Sequence, residues 1–118
     1  MSINDRTRKH IYDIVEAGEA ILAFTEGLTE RAFLDNALVQ AAVERKFEIV
    51  GESLNRIARD DEEVLVQISD YQRIIGFRNI LAHGYDAIDQ RLVWDAVKNH
   101  LPQLLREANR LLTSEASQ

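Results

Sequence analysis

The sequence predicts an all-α protein, an antiparallel four-helix bundle with a short extra helical turn. Three observations predict this fold. Apolar residues recur at the three- and four-residue steps of a helix along most of the 118 residues. No stretch of useful length alternates apolar and polar residues, as a half-buried strand would. One proline and five glycines leave long uninterrupted segments, and four amphipathic segments with short connections are typical of such a bundle.

The first half of the chain contains two of the four long helices. The first is expected over about residues 4–27, with Asn4 or Asp5 as its cap. A short helical turn follows Thr29, and the second long helix is expected over about residues 36–59. The apolar side chains of this second helix recur at steps of three and four residues, which predicts that one face is buried.

The second half contains the other two helices. One is expected over about residues 70–83 and ends at Gly84, a typical residue for closing a helix. The last helix starts near Ile88, and Pro102 should kink it one turn upstream because proline lacks the amide hydrogen. The two glycines that fall inside helices predict close helix–helix contacts: Gly18 and Gly51.

Composition and charge limit the possible functions. The chain is expected to form a single domain over residues 1–118. It has no cysteine, no apolar run of membrane-spanning length and no apolar leader at its N-terminus, so we expect a cytoplasmic protein without a membrane span. Its net charge of −6 argues against a generic nucleic-acid binder, because such binding comes mostly from basic side chains.

The stretch Phe77–Asp86, FRNILAHGYD, places an arginine among apolar residues. On a helical wheel the apolar side chains around Arg78 cover an arc of roughly 220°, whereas a helix that covers only its own core needs roughly 100–140°. The excess predicts that the Tyr71–Ala82 face also packs against a second surface. Arg78 itself can reach past its apolar neighbours to solvent, or pair with a carboxylate such as Glu52 or Glu48.

His83 and Tyr85 follow Arg78 closely in the sequence. His83 falls in the last helical turn, where the helix dipole favours a protonated imidazole, and its simpler interpretation is a C-capping histidine. Tyr85 is expected to be partly exposed, as an ordinary surface tyrosine would be. The three histidines lack metal-ligand spacing, and neither a thiol nor a glycine-rich phosphate loop is present. The chemistry that remains is metal-free: a guanidinium holds a phosphate and an imidazole moves protons.

The segment RNILAHGY reads as Arg, four residues, His, one residue and Tyr, and it resembles the signature of HepT-type toxins of the HEPN superfamily. The resemblance extends over nearly the whole chain. It includes the segment IYDI at Ile11, the segment EIVGES over Glu48–Ser53, and the segments VWDAV and LPQL of the last helix. The Arg-x4-His spacing alone would be a weak signal, whereas the fuller segment on a helical chain of matching length is a specific one.

The resemblance implies a HEPN-like fold, a homodimer whose two motif helices meet at a composite cleft, and a toxin that acts as an endoribonuclease on RNA without a metal or other cofactor. It implies that Arg78 contacts the scissile phosphate, that His83 acts as acid or base, and that Asn79 helps to position the cleft. It also implies that a cognate minimal nucleotidyltransferase is the antitoxin and transfers AMP from ATP to Tyr85. An anionic adduct so close to His83 would obstruct the cleft and repel RNA phosphates.

Two other functions stay open on the sequence. The chain can be a non-catalytic helical module that docks a nucleotidyltransferase and presents Tyr85 for modification. It can also be a helical bundle with a small-molecule or nucleotide pocket. Loss of RNA cleavage on substitution of Arg78 or His83 would separate the ribonuclease from both.

Overall fold

The computed structural model describes residues 3–69, 71–83 and 88–116, with the side chains in these ranges other than those at positions 82, 83 and 114–116. Every regular element in these ranges is helical, which confirms the predicted all-α bundle. The elements are α1 (Asp5–Thr25), α2 (Glu30–Leu34), α3 (Ala37–Asp60), α4 (Glu62–Leu65), α5 (Tyr71–His83), α6 (Gln90–Asp95), a π-helical stretch (Ala96–His100) and α7 (Leu101–Ala116). Within the described ranges, no helix is both long and apolar enough to cross a membrane.

Side-chain caps fix where several helices begin. The Oδ1 of Asn4 accepts a hydrogen bond from the backbone N–H of Thr7 at 2.8 Å, so Asn4 is the cap of α1. The hydroxyl of Thr29 caps α2, and the Oδ1 of Asn36 caps α3 through the N–H of Val39 at 3.1 Å. These polar residues satisfy N–H groups that have no partner inside the helix, and therefore set the helix starts.

Helix α3 lies at the centre of the fold, packed against α1 on one side and α5 on another, while α7 packs against α1. The seam expected from the sequence is buried. Its members are Val43, Phe47, Val50, Leu54 and Ile57. The short helix α2 contributes Phe33, whose ring lies 5.3 Å from that of Trp94 on α6. The main helix–helix contact of α5 is therefore with α3.

The last helical segment is distorted where proline predicts it. The π-helical stretch Ala96–His100 ends two residues before Pro102, and the N–H of Leu101 donates to the carbonyl of Ala96, five residues back. Proline has no N–H to continue the ladder, so the backbone widens by one residue per turn over this stretch. At the place where the sequence predicted a kink, upstream of Pro102, the structure has this π-helical stretch.

A buried carboxylate ties the chain before α5 to α7. Glu107 is buried, its Oε2 accepts a hydrogen bond from the backbone N–H of Ser69 at 2.6 Å, and its Oε1 accepts one from Nε2 of Gln103 at 2.9 Å. Burial raises the pKa of Glu107, but the hydrogen bonds from Ser69 and Gln103 and the charge of Arg110 outweigh burial and lower the pKa overall. This contact fixes the approach to α5.

Candidate functional site

Arg78 lies on α5 where this helix packs directly against Gly51 of α3. A Cβ atom placed on Gly51 of α3 would overlap Cβ and Cγ of Arg78, so only a glycine permits the observed approach. The close contact expected at Gly51 is confirmed, and the residue it admits is Arg78. The arginine side chain is 22 % exposed, so its stem is covered by α3 while part of its head group reaches solvent.

The guanidinium of Arg78 has two polar contacts among the described residues. Its Nη2 lies 3.4 Å from Oε1 of Glu52 on α3, and its Nη1 donates to Oδ1 of the neighbouring Asn79 at 3.3 Å. Of the pairings that the sequence left open for Arg78, the structure contains the one with Glu52, while Glu48 pairs with Arg45 at 3.3 Å instead. The Nε of Arg78 is buried and has no hydrogen-bond partner in the described part of the chain.

These contacts leave donor capacity on the guanidinium. Arginine carries five N–H donors in a planar fork, two on each η nitrogen and one on Nε. The contacts to Glu52 and Asn79 use one hydrogen on each η nitrogen, so two others stay available in the described structure. A partly exposed fork with two free donors has the geometry that binds a phosphate through two oxygens.

The other two candidate residues of the motif are only partly covered by the structure. The backbone of His83 forms the end of α5, five residues after Arg78 and therefore roughly 7.5 Å further along the helix axis. The side chain of His83, the expected helix end at Gly84 and the whole of Tyr85 lie outside the described residues. The structure thus places Arg78 and Asn79 together and fixes the backbone position of His83.

An apolar groove lies beside the motif on α5 and has a volume of about 410 Å³. We call it the α5–α6 groove. Two of its large apolar side chains are conspicuously exposed, Ile80 by 58 % and Leu92 by 60 %. Because Ile74 and Leu81 of the same helix are buried in the core, the wide apolar arc of α5 divides into a core side and an exposed side. The apolar residues that line the groove are Phe47, Ile74, Phe77, Ile80, Leu92 and Ala96.

A polar cluster that sequence analysis missed lies on the rim of this groove. The Nε2 of His100 is 3.4 Å from Nη1 of Arg73 and 3.3 Å from Oδ2 of Asp95. These residues come from α5, the end of α6 and the π-helical stretch, so no local spacing could have predicted their meeting. Their mixed charges make the rim of the groove polar without making it strongly basic.

Metal ligands do not cluster in the part of the chain that the structure describes. No three His, Asp or Glu side chains there are arranged so that they could hold a metal ion. The Nε2 of His10 on α1 lies 3.7 Å from Oδ2 of Asp60 on α3. His10 and His100 are far apart in the sequence and belong to different helical segments.

The structure is an all-α bundle with the guanidinium of an arginine at a helix crossing. Comparison with known protein families identifies the family to which such a chain belongs. Residues 14–111 match the family described as HepT-like, "Ribonuclease HepT-like". The chain belongs to this family. The resemblance seen in the sequence is therefore confirmed.

Individual relatives support the same assignment. A protein of Methanocaldococcus jannaschii named "Putative RNase" is 34 % identical over 82 % of this chain and 88 % of its own length. A protein of Thermococcus cleftensis named "Probable ribonuclease HepT" is 33 % identical over 82 % of this chain and 87 % of its own. A third relative, a "Putative RNase" of Caldanaerobacter subterraneus subsp. tengcongensis, is 22 % identical over 92 % of this chain and 96 % of its own. No solved structure matches the chain.

Proposed function

We propose that this protein is the toxin of a toxin–antitoxin pair and acts in the cytoplasm as an endoribonuclease that needs no metal ion. The observation that carries the proposal is the guanidinium of Arg78, held at the α3–α5 crossing with two η hydrogens unpaired among the described residues, in a chain of the ribonuclease HepT-like family. The relatives that bear RNase names match this chain along most of its length. Their names support the same activity here.

The proposed reaction uses the 2′-hydroxyl of the RNA as the nucleophile. The 2′-oxygen attacks the adjacent phosphorus, the bond from phosphorus to the 5′-oxygen breaks, and the products are a 2′,3′-cyclic phosphate and a 5′-hydroxyl. His83 takes the proton from the 2′-hydroxyl or gives one to the leaving 5′-oxygen, and solvent water supplies or accepts the other proton. Arg78 binds the non-bridging phosphate oxygens, whose negative charge grows in the transition state. Asn79 keeps Nη1 of Arg78 in place through its Oδ1.

The ribonuclease proposal is tested with purified protein and RNA in EDTA. Wild type is expected to cut the RNA, and Arg78→Ala and His83→Ala are expected to lose most of the activity. Arg45→Ala is the matched control, since Arg45 is an exposed arginine that pairs with Glu48 rather than with residues of the motif. Equal cleavage by wild type and both motif variants would reject the proposal. Intact RNA together with tight binding of the nucleotidyltransferase would favour the non-catalytic docking module.

The proposed active form is a homodimer in which two copies of α5 face each other. The α5–α6 groove supports this proposal, because exposed side chains such as Ile80 and Leu92 are apolar surface of the kind that dimerisation buries. Two motifs brought together would also place two copies of Arg78 and His83 near one RNA strand. This pooling offsets the unfavourable net charge of −6 on a single chain.

The proposed off-switch is Tyr85. A cognate minimal nucleotidyltransferase would catalyse attack of the Tyr85 phenol on the α-phosphorus of ATP, release pyrophosphate and leave AMP on the tyrosine. Because Tyr85 is two residues after His83 in the sequence, the added phosphate would repel an RNA phosphate approaching the same site.

The modification is tested by intact-mass spectrometry of the protein incubated with the nucleotidyltransferase and ATP. A mass increase in steps of one AMP is expected for wild type, together with loss of RNA cleavage. Tyr85→Phe should show neither change. Tyr12→Phe, at an exposed tyrosine of α1, is the control and should be modified like wild type. Modification that persists in Tyr85→Phe would place the acceptor elsewhere.

A further inference from the structure

We infer that Gly51 and Glu52 of α3 form a seat that orients the guanidinium of Arg78 for phosphate binding, with Glu52 acting as a positioning residue of the active site. The inference rests on the proposed ribonuclease function for its role, although the seat itself is a geometric feature of the fold. Nothing in the motif segment of α5 encodes it. The seat joins the motif to a separate helix.

Gly51 determines where the arginine stem lies. The atoms that a side chain on Gly51 would overlap are Cβ and Cγ of Arg78, and the Cβ is fixed by the backbone of α5. The overlap therefore cannot be relieved by rotating the end of the arginine side chain. Glycine at position 51 lets the stem lie directly across α3, which covers Nε and turns the η nitrogens outward.

Glu52 determines how the guanidinium is rotated about that stem. Its Oε1 lies 3.4 Å from Nη2, while Asn79 holds Nη1 at 3.3 Å. With each η nitrogen held by a different partner, the plane of the guanidinium is fixed and the remaining η hydrogens point in a defined direction. Glu52 is 36 % exposed, so its carboxylate stays solvated and its attraction for Arg78 is partly screened. Its main contribution is therefore orientation rather than stability.

The charge of Glu52 also has a cost that makes the inference testable. A carboxylate beside Arg78 repels the RNA phosphate in the ground state, so removing it should not weaken RNA binding. Removing it should instead let the guanidinium rotate away from the transition state, which affects the chemical step. A residue needed only for folding would not separate kcat from KM in this way.

The kinetic test compares Glu52→Ala and Glu52→Gln with Glu48→Ala in RNA cleavage. We expect Glu52→Ala to lower kcat by roughly 10- to 100-fold, the scale of a misplaced catalytic group, without raising KM. Glu52→Gln should keep part of the activity because its amide oxygen can still accept from Nη2. Glu48→Ala removes a similar carboxylate one turn away that pairs with Arg45, and should stay close to wild type. Equal effects of the Glu52→Ala and Glu48→Ala changes would overturn the inference.

A double-mutant cycle shows whether Glu52 acts through Arg78. In an Arg78→Lys background the fork is absent, so adding Glu52→Ala should change kcat by less than about threefold. Equal losses in the wild-type and Arg78→Lys backgrounds would show that Glu52 acts independently of Arg78 and would overturn the inference.

A second readout keeps the seat separate from the ribonuclease proposal. The Nε–H of Arg78 is buried, so its hydrogen should exchange slowly with solvent in wild type and in Glu48→Ala, as followed by NMR. The signal of this hydrogen is assigned by its absence in Arg78→Lys. In Glu52→Ala the exchange should be at least about tenfold faster, since the guanidinium is free to rotate out. If wild type does not cleave RNA but the exchange rates of wild type and Glu52→Ala still differ in this way, the proposed function is rejected and the seat is supported. Unchanged exchange in Glu52→Ala would reject the seat whatever the activity.

Discussion

The position of the Arg78 side chain depends on residues of another helix. Sequence analysis predicted its position inside an apolar arc and two possible carboxylate partners. It could not choose between Glu52 and Glu48, because both lie on the same face of α3 and the choice depends on how the two helices cross. The crossing is set by Gly51, whose packing partner on another helix no local pattern reveals.

Replacing Arg78 by lysine tests whether the planar fork matters beyond its charge. Lysine keeps the charge but cannot contact Glu52, Asn79 and a phosphate at the same time. We expect Arg78→Lys to lower kcat/KM for RNA by roughly 100-fold, since it misplaces the cation at the reacting phosphate. Arg45→Lys, at an exposed arginine, should lose little. A full level of activity in Arg78→Lys would show that only the charge is needed.

Among the described residues, Glu107 has a protonation state that should affect stability. Its pKa in the folded protein is lowered below the ordinary value of 4.5, so its stabilising effect is fully present above that pH and is lost as the pH falls through the folded pKa. At pH 7, Glu107→Gln is expected to lower the free energy of unfolding by about 1.5–3 kcal/mol, the range for hydrogen bonds to a charged group.

The pH dependence distinguishes this effect from a general loss of packing. In urea unfolding, the difference between wild type and Glu107→Gln should shrink as the pH falls below 4.5. Glu16→Gln, at an exposed position of α1, is the control and should unfold like wild type at every pH. A difference for Glu107→Gln that stays constant down to acidic pH would contradict the assignment of Glu107 as a charged partner of Ser69.

At the scale of helices, the sequence was most informative where the apolar pattern is long. The bounds of α1 and α3 agree with the predicted segments to within about two residues, the usual uncertainty of helix ends. The four-residue helix α4 was not predicted, because it is too short to show a periodic pattern. The form of the distortion before Pro102, a π-helical stretch, depends on how α7 packs and could not be derived from the proline alone.

Gly18 and Gly51 lie at helix crossings, and replacing each by alanine tests how closely the helices pack there. Alanine favours helix over glycine by about 1 kcal/mol, so both Gly51→Ala and Gly18→Ala share the same gain. At Gly18 the clash is with the end of the Leu105 side chain, at 2.6 Å, which can rotate away. At Gly51 the clash is with the root of Arg78, so α3 and α5 must separate.

We therefore expect Gly51→Ala to destabilise the protein by about 1–3 kcal/mol, the usual cost of overpacking, and Gly18→Ala to cost clearly less. Urea unfolding of both variants measures the difference. Without denaturant, where both variants are still folded, Gly51→Ala should also lose RNA cleavage, whereas Gly18→Ala should keep it. A Gly18→Ala variant that is the less stable of the two would contradict this description of the crossings.

At the scale of the whole molecule, the exposed apolar side of α5 predicts self-association. Ile80→Asp places a charge in the lining of the α5–α6 groove and should shift the protein toward monomer by at least about tenfold in Kd, measured by light scattering against concentration. Leu38→Asp is the control, because Leu38 is 81 % exposed on α3 and does not line the groove. Dimers that persist unchanged in Ile80→Asp, or a wild type that is monomeric at micromolar concentration, would count against the proposed interface.

The sequence predicted a second packing surface on α5 but not its shape. The apolar arc follows from α5 alone, whereas the groove needs Leu92 and Ala96 from a segment that folds back across it. The polar rim formed by Arg73, Asp95 and His100 is likewise a product of the tertiary fold. The apolar pattern of the sequence thus predicted α5 and its wide apolar face. The residues that contact this face come from other segments of the folded chain and could not be predicted from that pattern.

The central claim, a metal-free ribonuclease that uses the 2′-hydroxyl of its substrate, is tested most directly by product analysis in EDTA. An end-labelled RNA is compared with the same strand carrying a single 2′-deoxy nucleotide at the mapped cleavage position. We predict a 2′,3′-cyclic phosphate and a 5′-hydroxyl from the RNA, no cut at the deoxy position, and neither product with Arg78→Ala. Cleavage at the deoxy position, or fragments with a 5′-phosphate, would show attack by water and contradict the proposed mechanism.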